Sequence, residues 1–168
     1  MKQSAIAHFR AKNLLLGALA FGVSLLPGEG KVRNVSISNR ERVSSERSDQ
    51  MKINIKVGGT ILTATLADNP TARDFASVLP LKLSMKDLFE REKYGDLPKP
   101  LSEKGPRENR YEVGDIAYWS PAHQVAVYYH QDGESIPSPG IIPIAKINAG
   151  TEAFNVPGSL KVTIEVAK

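Results

Sequence analysis

From Met51 onward the chain alternates. Ile53, Ile55 and Val57 interleave with Lys52, Asn54 and Lys56, and a period of two marks a half-buried strand. Gly58-Gly59 follows, a pair that accepts the positive φ angles of a tight hairpin turn. Leu62, Ala64 and Leu66, separated by threonines, form the returning strand. The period then changes. Asn69-Pro70 reads as a helix start, an N-cap side chain followed by proline at the first helical position. Ala72, Phe75, Ala76 and Leu79 share one helical face, and Pro80 stops the helix.

Strands resume at Leu81, Leu83 and Met85. Residues 86–110 carry Pro98, Pro100, Gly105 and Pro106 among many charges, which predicts a long irregular loop. Within it, Glu90-Arg91-Glu92-Lys93 reads as a solvated charged face rather than a pair of catalytic acids. A turn at Val113-Gly114-Asp115 leads into a strand from Ile116. Ser120-Pro121-Ala122 turns the chain, and Val125, Val127 and Tyr129 alternate on the next strand. A Gly, Ser and Pro loop covers 132–140, and Ile142 to Ile147 is strand-like, with Pro143 implying an edge or a strand start. Leu160, Val162, Ile164 and Val166 close the domain. Seven or eight short strands and one or two helices imply a mostly β, antiparallel domain, closed or nearly closed as a barrel to hide its edges.

The first fifty residues differ. Lys2, Arg10 and Lys12 precede an apolar run from Leu14 to Leu26, and Pro27-Gly28 ends it. That is the pattern of a signal peptide, too short for a comfortable membrane span. Residues 1–28 are therefore expected to be a signal peptide or an uncleaved anchor, 29–50 a flexible polar linker, and 51–168 the domain. The expected location is the periplasm or outside the cell; a true start at Met51 would make the domain cytoplasmic. The net charge of +4 belongs to this leader: residues 1–50 hold eight Lys or Arg and four Asp or Glu, and residues 51–168 hold fourteen of each. A nucleic-acid surface needs its basic groups on the folded part, so nucleic acid is not an expected partner. The chain has no cysteine, which removes thiolate chemistry, disulfides and an acylated cysteine.

Few residues suggest catalysis. Ser120, His123 and Asp132 lack any nucleophile-elbow pattern. His123, His130 and Asp132 bracket a strand whose rise separates the ends by about 20 Å, a poor arrangement for one shared metal, so no metal and no cofactor are implied. The aromatic residues are more informative. Tyr94, Tyr111, Tyr118, Trp119, Tyr128 and Tyr129 are six of the eleven in the chain, and they crowd the long loop and the next two strands. Rings with polar tips suit the grasp of a peptide or apolar ligand. Tyr94, Tyr111, Trp119 and Tyr128 are the candidate ligand-binding residues, with rim and core packing as the alternative.

The run MKINIKVGGTILTATLADNPTARDFASVLPLKLSMKDL from Met51, followed by EKYGDLP, YEVGDIAYW and VAVYYH, resembles the bacterial cyclophilin-like domain family. The resemblance spans nearly all of 51–168 and implies a cyclophilin-like β-barrel of about eight strands. True cyclophilins are peptidyl-prolyl isomerases marked by a Phe-His-Arg segment and a Gln-Gly-Gly-Asp segment. Neither is present, and Arg73, Arg91, Arg107 and Arg110 match neither, so no catalytic residue carries over. The expectation is an exported module that binds a peptide or small ligand without the isomerase motif. The alternative is a peptidyl-prolyl isomerase acting on exported proteins.

Overall fold

The computed structural model describes residues 50–168. The leader and linker expected before Met51 lie outside the described residues, Gln50 excepted. Eight strands appear in chain order: β1 (Lys52–Val57), β2 (Thr60–Leu66), β3 (Leu81–Leu88), β4 (Glu92–Asp96), β5 (Asp115–Trp119), β6 (Gln124–Tyr128), β7 (Ile142–Ile147) and β8 (Leu160–Val166). One α-helix, α1 (Pro70–Ser77), and two short 3-10 turns complete the domain. The strands close into a barrel in the order β1-β2-β7-β5-β6-β4-β3-β8, and every pairing is antiparallel.

The alternation sets inside from outside. Ile53, Ile55, Leu62, Ala64, Leu81, Leu83, Met85, Val125, Val127, Val162 and Ile164 fill the barrel, with their polar neighbours turned outward. Val57 pairs with Thr60, so the first hairpin has a two-residue loop whose Gly58 and Gly59 both take positive φ. At α1 the Asn69 side chain accepts a hydrogen bond from Ala72 N–H at 2.9 Å and donates to the Pro143 carbonyl at 2.8 Å. One residue thus caps the helix and fastens it to β7. Ala72 and Phe75 join the barrel core.

One expectation is corrected and another is met. The stretch 86–110 is not one long loop: β3 continues to Leu88, and β4 forms at Glu92–Asp96. Charges masked this strand because closure demands a strand there whatever its polarity: β4 bridges β3 and β6. Pro143 falls at the strand start, the second residue of β7 and ahead of the pairing with β2, which begins at Ala145. It sits beside a register shift between Ile116 and Ala117, where a ladder tolerates a missing donor.

Candidate functional site

A second, smaller apolar cluster lies outside the barrel. Tyr111, Ala117, Ala126, Tyr128, Ile136 and Ile141 are buried there, with Tyr94 and Trp119 packed against them. Strand alternation explains the placement. In the neighbouring pairs Tyr118-Trp119 and Tyr128-Tyr129, Tyr118 and Tyr129 enter the barrel core while their partners turn outward. Across the ladder Tyr94 faces Ala126, and Ala117 faces Ala126. Ala126, with the small Ala117 beside it, leaves a low floor between large aromatic neighbours.

That floor carries a groove of about 330 Å³, lined by Tyr94, Trp119, Ala126 and Tyr128, by Leu88, Phe89, Arg91 and Glu92 on one side, and by Ile136 and Pro137 on the other. The volume is at the low end for small-molecule sites. Three of the four candidate aromatics therefore share one groove. Tyr111 does not line it; it stacks on Tyr128, with centroids 4.2 Å apart and rings at 21°, and so stiffens the wall from behind. Larger crevices of about 660 and 680 Å³ lie elsewhere. In the first of these, the carboxylates of Glu112 and Asp115 are already engaged by Lys146, and neither crevice gathers a wall of aromatic rings.

The expected solvated face at Glu90–Lys93 is overturned. Arg91, Glu92 and Lys93 are all buried, and only Glu90 is exposed. Glu92 lies on the outer face opposite Tyr128, while Lys93, paired with Val127, points inward. The Arg91 guanidinium reaches Glu92 at 3.4 Å and Asp132 at 3.1 Å, and lies over the rings of Phe89 and Tyr111 at 5.2 and 5.6 Å. The Tyr111 hydroxyl donates to Asp132 at 2.7 Å. Burial pushes the Glu92 carboxyl above its ordinary value, an effect that Arg91 and Tyr128 only partly offset. Tyr128 is pushed well above the usual phenol range by burial and by the Glu92 charge. Asp132, held by Tyr111, the Glu134 amide and Arg91, falls to about 2.

The turn joining β3 to β4 supplies the rim. Phe89 and Glu90 both take left-handed φ angles, 56° and 54°, which are outliers for residues with large side chains. Arg91 N–H bonds the Leu88 carbonyl at 3.2 Å, and Asp87 accepts from the Glu90 amide at 3.0 Å, so the turn is fastened on both sides. Phe89 is left 70% exposed beside the groove. Sequence reasoning missed Phe89, Arg91 and Glu92. The signal was present, since Glu92 and Tyr94 share a face at period two, but the charges hid it.

Other candidates stay apart. Ser120 Oγ accepts from Arg107 at 3.1 Å, while Asp132 is bound to Arg91 and Tyr111, and neither side chain is bonded to His123. Among the described residues no group of three His, Cys, Asp or Glu side chains is placed to hold a metal ion.

Two comparisons bear on this arrangement. Residues 55–165 match the model of a family described as the cyclophilin-like family. The solution structure of a hypothetical protein from Archaeoglobus fulgidus superposes with a TM-score of 0.57 at 22% identity, covering 70% of this chain and 95% of that one; at that identity the likeness is one of fold. No curated protein matches the chain.

Proposed function

The chain belongs to the cyclophilin-like family, and from that premise we propose that its barrel is a binding module whose ligand, a peptide or a small molecule, enters the outer-face groove. The observation that carries the reading is the convergence of Tyr94, Trp119 and Tyr128 on one concave site with a buried carboxyl, Glu92, at its side. Aromatic anchors around a few polar groups are what ligand sites are made of. The basic, apolar and breaker pattern of residues 2–28 and the polar run that follows support an exported module on a tether.

Trp119 is the single tryptophan of the chain, so its emission reports directly on the groove. Titration with proline-containing peptides is expected to shift and saturate that emission. An unchanged spectrum across peptides and small apolar ligands would defeat the reading.

One observation favours isomerase action as a second reading: an arginine, Arg91, lines the groove. Its Nε and Nη1 already donate to Glu92 and Asp132, which puts the weight on twisting and desolvation of the prolyl amide across a barrier of about 18–20 kcal/mol. A protease-coupled assay showing only the uncatalysed rate would eliminate this reading.

A further inference from the structure

If the groove is the ligand site, its chemistry narrows the ligand class. We propose that it selects an organic cation, an alkylammonium group carried by a peptide lysine or by a free amine, seated against Phe89, Tyr94, Trp119 and Tyr128 and balanced by the Glu92 carboxylate.

The charge count comes first. One guanidinium, Arg91, faces two carboxylates, Glu92 and Asp132. The ionised cluster therefore keeps one negative charge beside the groove. The share of that charge on Glu92 is little screened by water, because its side chain is only 9% exposed, against 24% for Asp132. An anionic ligand meets the Glu92 carboxylate and a guanidinium that already faces two carboxylates. A cationic ligand completes the cluster, and a buried carboxylate gains most from a partner when few water molecules compete.

The rings point the same way. Aromatic faces attract ammonium and guanidinium groups through their quadrupoles. The protein already uses one groove ring in this manner, since the Arg91 guanidinium lies 5.2 Å from the centre of Phe89. Phe89 is held at the rim in a left-handed turn with most of its surface exposed, so its other face is free for a second cation. Apolar walls alone would accept neutral groups equally well; the buried carboxyl distinguishes the two cases.

The groups facing Glu92 are Arg91 beside it, Tyr128 from β6, and Asp132 in the segment after β6. Asp132 remains ionised down to about 2, and Tyr128 stays protonated at any ordinary pH. Loss of the cluster's negative charge on mild acidification is therefore the protonation of Glu92.

The test uses the full chain and Trp119 emission, with calorimetry as a second readout. The probes are N-acetyl-lysine methylamide, its neutral counterpart N-acetyl-norleucine methylamide, and n-butylammonium. At pH 7 the lysine amide is expected to bind about tenfold more tightly than the norleucine amide. Glu92→Gln should reduce that ratio to about twofold. The wild-type ratio should collapse in the same way between pH 7 and pH 4, which tests the carboxylate even if the variant fails to fold. Butylammonium binding as well as the lysine amide identifies a free-amine site; much weaker binding identifies a peptide-borne lysine, and both support the cation. Equal binding of lysine and norleucine amides would overturn the cation while leaving the groove as the ligand site. No response to any probe would overturn both.

Discussion

Lys93 offers the sharpest check on the packing that holds the site. Its side chain is fully buried. The ammonium meets Asp87 Oδ2 at 2.7 Å and the Gly158 carbonyl at 2.9 Å, and also donates to the Val156 carbonyl, so its three donors are used. Asp87 in turn accepts from the Tyr129 hydroxyl at 2.7 Å. Substituting Lys93→Met keeps the volume but strands the carboxylate. Removing one partner of a buried pair costs about 3–5 kcal/mol. The low end applies, because the Asp87 side chain keeps 22% exposure and the two carbonyls lie in a turn that water reaches. A loss of about 3 kcal/mol lowers the melting temperature of a domain this size by about 10 °C. Urea unfolding followed by Trp119 emission measures it, and Lys93→Met/Asp87→Asn should recover part of the loss, since it removes the stranded charge. A single variant that melts within about 3 °C of wild type would refute the claim that this lysine is an integral part of the barrel core.

Three further outcomes follow from the same contacts. Asn69→Ala removes both the helix cap and the bond to Pro143 and should cost about 1–2 kcal/mol by chemical denaturation. Glu90→Gly relieves a left-handed φ at an exposed position and should stabilise by about 1 kcal/mol, with Trp119 binding curves unchanged. The pH dependence has opposite signs at different carboxyls. Asp87 is raised by burial but lowered overall by bonds from Lys93, Tyr129 and the Glu90 amide, and Asp132 is lowered to about 2. Their contributions are present above the ordinary aspartate value and vanish as pH falls through the folded values. Glu92 is raised, so its contribution is complete below the ordinary glutamate value and is lost as pH rises through the folded one. Glu92→Gln is accordingly expected to melt at or above the wild-type temperature at pH 7, and a lower melting temperature would contradict the dominance of burial at this carboxyl.

The elements legible in the sequence were those whose hydrophobic period needed no tertiary help. The hairpin Lys52–Leu66, the Asn69 cap and β8 follow from alternation, from two glycines and from a capping side chain. Strand β4 did not, because EKYGD carries a lysine on its inward face and a glutamate on its outward one. Only the distant partners Asp87 and the Val156–Gly158 turn make that lysine tolerable inside, and no local pattern announces partners so far along the chain. The same distance hid half the groove. Tyr94, Trp119 and Tyr128 stood out by residue type, but the low floor at Ala126 exists only once β4, β5 and β6 are in register. Arg91 is neutralised by Asp132, forty-one residues further on.

The groove itself is tested most directly by amide and indole NMR of the full chain, titrated with a peptide that contains both proline and lysine. The largest shifts are expected at the Trp119 indole and at Tyr94, Glu92, Tyr128 and Ile136, saturating together with one dissociation constant. Shifts gathered instead around Met51, Ala67 and Ala76, with Trp119 unmoved, would contradict the account.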